Sequence, residues 1–313
     1  MRFCHRFRCA GLQQKVQRGN YFVTLTVAEM RRLLRALEAN RYTMQAISSQ
    51  VLGSSERLRK LETKMATAVA TSTVKPRAGL PGRKYDHVFF PVMAVLLLGS
   101  VFLGFARSYY LAGMFHAPLP SVIIHVHGAL FSSWILFLLA QTTLAAAGRV
   151  DVHRRIGIAG FLLACLMVVF GVWAATNSLA RNFAPPGVDA KTFYIIPITD
   201  MLVFSVLVFF AYRARFDSPA HKRIIIIATV SLMIAAIARW PFPPVLGNPL
   251  AAALVSYLFL LMLVGYDLWS THKVHRATMW ASAFLIFVQQ IRFPIAQTAM
   301  WRAFATWAQN LKL

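Results

Sequence analysis

Between residues 86 and 293 the chain repeats one pattern seven times: a nearly uncharged apolar run, closed by Arg, Lys, Pro or Gly. The runs occupy residues 86–107, 121–147, 156–180, 193–213, 222–240, 249–268 and 276–293. At about 1.5 Å per helical residue, each is long enough to cross a hydrocarbon core about 30 Å thick. Lipid offers backbone N–H and C=O groups no partners, so an open-ended segment crosses it only as a helix. The expected fold is therefore all-α: a seven-transmembrane-helix bundle in a lipid bilayer.

Charge divides the chain in a second way. Only 14% of its residues are charged, against about 25% in an ordinary soluble domain. Residues 1–84 carry a net charge of +13, and the much longer stretch 85–313 carries +10. This predicts a basic tail over 1–25, an amphipathic or coiled-coil helix over 26–66, a basic linker over 67–84 and a transmembrane domain over 85–313. No secretory signal peptide is expected at the start, because the first long apolar run begins near residue 87. Cys4, Cys9 and Cys165 form no disulfide framework, and Cys4-His5 with Cys9 falls short of the four ligands of a zinc site. No metal site is expected.

The loops after the second, fourth and sixth segments hold nine Lys and Arg residues; the alternate loops hold four, Arg107, Arg181, Lys191 and Arg239. By the positive-inside rule the N-terminus lies in the cytoplasm and the C-terminus outside. Beyond Pro294, residues 295–311 with Trp301 and Trp307 read as an interfacial helix at the outer surface.

Segments three, five and seven begin alike, with Val152-His153-Arg154-Arg155, Ala220-His221-Lys222-Arg223 and Val274-His275-Arg276. The bundle is thus one lone helix followed by three hairpins. The basic groups either mark the membrane interface or bring His153, Arg154, His221, Arg223, His275 and Arg276 together around an anionic headgroup or cofactor.

In the tail, Thr26 and Glu29 have the spacing of a capping box. Behind them Met30, Leu37, Met44, Val51, Leu58 and Met65 recur every seven residues, with Leu33, Ile47 and Leu61 filling alternate seam positions that Asn40 and Ser54 interrupt. This predicts homo-oligomerisation through residues 30–65 or a partner helix; a basic amphipathic helix on anionic lipid is the rival reading. No nucleic-acid recognition motif is present. Met65 opens a run that also reads as a translation start.

Polar residues inside the apolar segments gather toward the predicted outer side. His125 and His127 fall about 6–9 Å below that interface, with Asn177, Asp200, Arg239, Gln289, Gln290 and Arg292 at similar depths. His127 shares a helical stripe with Trp134 and Gln141, His125 with Ser132 and Thr143; the two imidazoles point about 200° apart and cannot share a metal. An ionised Asp200 needs a partner or water, and Arg239, Arg292 or His127 could supply one. The expected site is an outward-facing intramembrane pocket for a small, anionic ligand.

The segment His125-Val126-His127-Gly128, with Trp134, Gln141 and His153-Arg154-Arg155-Ile156-Gly157, resembles a group of predicted bacterial multi-pass inner-membrane proteins of unassigned function. Tyr85-Asp86-His87 and Gly104-Phe105-Ala106-Arg107 extend the likeness over residues 85–293. It implies a bacterial inner-membrane helical bundle and no activity. A weaker likeness to b561-type cytochromes implies haem b held between paired histidines, but the sequence places only His125 and His127 inside a segment. Three classes follow: a protein that binds or transports a ligand, a haem-binding or other redox subunit, and a non-catalytic assembly scaffold.

Overall fold

A computed structural model describes residues 14–18, 21–71, 84–118, 120–185 and 187–311. Most of the expected linker and the first half of the expected basic tail lie outside the described residues. The chain divides into two units, residues 1–78 and 79–313.

In the first unit, strands β1 (Gln14–Arg18) and β2 (Tyr21–Leu25) pair antiparallel, with Gln14 opposite Leu25 and Arg18 opposite Tyr21. The sequence reading had no strands here. Val16, Tyr21, Phe22, Val23 and Thr24 are the β-branched and aromatic types that suit a pleated surface. Helix α1 (Val27–Thr71) follows as one 45-residue element. The capping box forms: Thr26 N–H donates to Glu29 at 2.7 Å, and Glu29 N–H reaches Thr26 Oγ1 at 3.4 Å.

The second unit contains seven helical spans long and apolar enough to cross a membrane. These are α2 (Asp86–Phe105) with a π-helical turn (Ala106–Tyr110), α3 (Val122–Ala146), α4 (Val150–Ala180), α5 (Ala190–Arg213), α6 with α7 (Ser218–Val230 and Met233–Ile237), α8 (Pro249–Thr271) and α9 (Arg276–Ala296). Helices α2, α3, α4, α5 and α6 pack in succession, each on the next, and α7 meets α2, whereas α8 packs mainly on α7 and only slightly on α9. Helix α9 packs on α5 and α6, so the expected grouping into a lone helix and three hairpins does not describe the packing. Large apolar side chains such as Phe209, Leu258, Leu261 and Phe287 are more than half exposed on the bundle's outside. Water would penalise so wide an apolar surface, whereas lipid does not. The protein is an integral multi-pass membrane protein.

Two boundaries differ from expectation. Helix α4 begins at Val150 and not near 156, because Asp151 in its first turn suits the positive end of the helix dipole and Arg154 and Arg155 are good helix formers whose heads reach water. The fifth span, expected to be continuous, breaks at Ser231-Leu232: Leu232 N–H bonds back to Thr229 O, three residues earlier, and Ser231 Oγ–H donates to Ala228 O at 2.7 Å. This broken helix is the centre of the bundle, with 72% of its apolar window buried against 17–44% in the other six spans. Its α7 half meets α2 at Gly104, where an added Cβ would collide with the Ala236 main chain. Close backbone contact of this kind is how small residues hold membrane helices together.

Helix α10 (Ala299–Gln309), capped by Thr298, occupies the place of the expected interfacial helix. Ala305 and Ala308 are buried with Ala175, Leu179, Ala190 and Tyr194 of α4 and α5, while Met300, Phe304 and Trp307 remain exposed. Trp301 Nε1–H donates to Lys191 O at 2.9 Å and ties it to the start of α5.

Candidate functional site

Two Arg–Asp pairs are buried in the bundle, and they are satisfied to different degrees. At the basic end, where α5 turns into α6 and α8 into α9, Arg223 of α6 donates through Nε (2.9 Å) and Nη2 (2.5 Å) to Asp267 Oδ1 of α8. The other oxygen, Oδ2, accepts from His275 N–H at 3.0 Å and Thr278 Oγ1–H at 2.6 Å, and Arg223 Nη1 donates to Pro219 O at 2.8 Å. Both carboxylate oxygens and all three guanidinium nitrogens are engaged. Beside it Asp86 pairs with Lys222 and accepts from Tyr266 O–H at 2.7 Å. Such closed networks stitch α2, α6, α8 and α9 together and leave no bonding capacity for a ligand.

The second pair lies toward the opposite end. Arg292 of α9 donates through Nη1 to Asp200 Oδ1 of α5 at 2.9 Å. The Arg292 side chain is 1% exposed, yet its Nε and Nη2 have no partner among the described residues. One turn earlier, Gln289 is 2% exposed, and neither its amide oxygen nor its amide nitrogen has one. A buried polar atom left unpaired costs about 1–3 kcal/mol. A chain that keeps four of them beside an ion pair therefore carries a strong drive to bind whatever would complete them.

Helix α9 positions these groups on one stripe. Thr278, Ser282, Gln289 and Arg292 are all buried, follow each other at helical spacing with Leu285 between, and face α5 and α6. Ser282 Oγ is likewise unpartnered. Of the candidates for pairing with Asp200, the structure selects Arg292.

The remaining predicted residues separate. Gln290 points off the stripe and donates to Tyr257 O–H at 3.1 Å. Arg239 is exposed, bonds to Ala235 O within its own chain turn, and lies over the Phe105 ring at 4.9 Å. Asn177 accepts through its backbone carbonyl from Arg181. His125 is exposed beside Tyr109, whereas His127 lies deeper and stacks on Phe131 at 4.1 Å. Of the two stripes, the one carrying His127 turns inward, since its Trp134 and Gln141 are buried. His127 Nδ1 has no partner among the described residues, and no described hydrogen bond joins this ring to Asp200 or Gln289. The cluster at this end is thus Asp200, Arg292 and Gln289, enclosed and without the histidines.

At the basic end the three histidine motifs do not converge. His153 Nδ1 faces Gln141 O at 3.3 Å, and His221 Nδ1 faces Ala211 O at 2.8 Å; each thereby reaches back to the preceding helix. Because a carbonyl only accepts, both rings carry their proton on Nδ1, and Nε2 is left as a free lone pair. The two rings lie 6.3 Å apart and almost perpendicular. His275 departs from this pattern, since its Nδ1 accepts from Ala277 N–H at 3.1 Å and caps α9. Burial, then the neighbouring Arg223, hold its pKa below the ordinary histidine value. Arg154 and Arg276 are exposed. An open groove of about 520 Å³ borders Asp217, Lys273, His275 and Arg276.

Sequence reasoning missed the roles of Asp86, Lys222, Tyr266, Asp267 and Thr278. Asp267, a carboxylate in the last turns of an apolar run, was itself a signal. The Asp86–Lys222 pair spans 136 residues and leaves no local trace. No group of three or more His, Cys, Asp or Glu among the described residues could hold a metal ion. No protein-family model matches the chain, and no curated protein or solved structure matches it.

Proposed function

We propose that this membrane protein binds, and in doing so transports or senses, a small ligand bearing an anionic or strongly accepting group, held by Arg292 and Gln289 beside Asp200. The observation that carries this reading is the contrast between the two buried ion pairs: Arg223–Asp267 is fully satisfied, and Arg292–Asp200 retains unused donors on a guanidinium sealed from solvent. The unused guanidinium N–H groups call for acceptors, and the Gln289 amide offers one donor and one acceptor beside them. The break in the central helix at Ser231-Leu232 supports the same reading, because interrupted helices are how membrane proteins build polar sites in their interior. In this reading the chain lies in a bacterial inner membrane with its N-terminus cytoplasmic and its C-terminus outside, and copies associate through residues 30–65.

The test is thermal unfolding of the detergent-purified protein against chloride, bicarbonate, phosphate, acetate and succinate. A ligand present at 100 times its Kd adds about 2.7 kcal/mol to stability. At least one of these anions raises Tm in the parent protein and not in Gln289→Leu or Arg292→Lys. No response to any of them, or an equal response in both variants, would refute the proposal.

The His153–His221 pair supports a second reading, a redox subunit holding haem b. The two rings are neighbours, each held through Nδ1–H by a carbonyl of the preceding helix, which leaves both Nε2 atoms able to act as ligands. Nδ1–H bonds to carbonyls are the usual means of orienting such ligands. His153 and His221 would hold the group, and it would supply one-electron chemistry. A Soret band in purified protein that disappears in His153→Ala and His221→Ala would establish this reading; colourless protein expressed with haem supplied would remove it.

A further inference from the structure

We propose that α1 pairs with α1 of a second copy as a parallel, in-register two-stranded coiled coil, with Arg57 of each chain meeting Glu62 of the other. This rests on the self-association in the reading above and adds to it a direction, a register and a charge pair.

The helix needs a partner. Its 45 residues form one element about 67 Å long, and among the described residues it lays no extended face against the hairpin of its own unit. Leu58 and Leu61, at the end of the heptad seam, are 62% and 56% exposed, and Leu34 on the seam's flank is 54% exposed. A solitary helix with that stripe is marginal in water, and a second helix covering it is the ordinary remedy.

The seam also specifies direction. Every first-type position (Met30, Leu37, Met44, Val51, Leu58, Met65) is apolar, and both polar interruptions, Asn40 and Ser54, fall in the second type with Leu33, Ile47 and Leu61. An antiparallel pair stacks first-type against second-type positions. In any register that covers them, Asn40 and Ser54 would then each be buried against an apolar side chain. A parallel in-register pair stacks like on like, so Asn40 meets Asn40 and Ser54 meets Ser54, where their side chains bond to each other. Matching them in register avoids burying either polar side chain against an apolar one.

Charge agrees with this arrangement. Arg57 and Glu62 flank the seam on opposite sides, five residues apart, the offset at which a parallel coiled coil brings the two flanks of different chains together. Both are exposed, and neither has an ion-pair partner among the described residues. Of the other basic residues of the central and C-terminal turns, Arg59 and Lys60 lie on the outward face, while Arg41 and Lys64 flank the seam with no acidic residue at the matching offset.

The experiment uses the full chain in detergent with Cys4, Cys9 and Cys165 replaced by Ser. Leu61→Cys should form at least tenfold more disulfide-linked dimer on mild oxidation than the outward-facing Glu56→Cys. Leu33→Cys mixed with Leu61→Cys should give only like-with-like products. Arg57→Glu should lower the dimer yield of Leu61→Cys several-fold, and Arg57→Glu with Glu62→Arg should restore it. A monomeric mass by light scattering would overturn self-association altogether. A dimeric mass with Leu61→Cys no more reactive than Glu56→Cys, or with mixed Leu33–Leu61 products, would overturn the parallel pairing alone.

Discussion

Replacing Gln289 by Leu should make the ligand-free protein more stable, an unusual outcome for a polar residue in the middle of a bundle. Gln289 is 2% exposed, and both polar atoms of its amide are unpaired among the described residues. Burying an amide without compensating hydrogen bonds costs about 1–3 kcal/mol by mutational measures. Leu fills a similar volume without that cost, and none of the described contacts of α9 depends on the amide. The expected gain is about 1–3 kcal/mol, or roughly 5–150-fold in the folding equilibrium, at about 2–4 °C of Tm per kcal/mol. Unfolding by SDS titration in mixed micelles, alongside scanning fluorimetry without added anions, measures it. The neighbouring Gln290 is the control: it is partnered with Tyr257, so Gln290→Leu should lose up to about 1 kcal/mol. If Gln289→Leu is destabilised as well, the amide is satisfied in the folded protein and the inference of an incomplete site fails.

Asp267→Asn should be among the most damaging single changes, about 3–5 kcal/mol, because it leaves Arg223 buried without a counter-charge and, with one accepting oxygen where there were two, sets an NH2 against either Arg223 or the His275 N–H and Thr278 donors; near-parental SDS unfolding would contradict this. Gly104→Val drives a side chain into the Ala236 main chain and should cost about 1–3 kcal/mol or more, read as a lowered Tm. The His275 cap titrates in the direction of acid loss. Its pKa is lowered in the folded state, by burial first and Arg223 second, with Lys222 acting alike and Asp267 and Asp217 opposing. Its contribution is therefore complete above the ordinary value of about 6.5 and is lost as pH falls through the lower folded value. His275→Asn, which caps without titrating, should flatten the stability–pH curve below about 6.5, and an unchanged slope would assign that dependence elsewhere.

The seven spans and the capped tail helix were legible in the amino-acid sequence because their causes are local. Hydrocarbon thickness sets the run length, periodicity sets the face, and Thr26 with Glu29 sets a helix start. Periodicity also laid out the two stripes of the second span, though only packing decided that the one with Trp134 and Gln141 turns inward. Which buried charges meet was a different matter. Asp200 had three candidate partners, and only the packing of α5 against α9 selected Arg292; Asp86 and Lys222 come together across 136 residues for reasons no window of sequence contains. Equivalent-looking motifs also diverged: His153 and His221 reach the carbonyls of the preceding helix, while His275 caps its own, because Asp267 draws the α8–α9 turn inward through His275 N–H. Composition and periodicity act over a few turns of chain and determine elements. Pairing energy depends on distances between helices far apart in sequence, so only the packed bundle decided which polar groups were completed and which were left to bind something else.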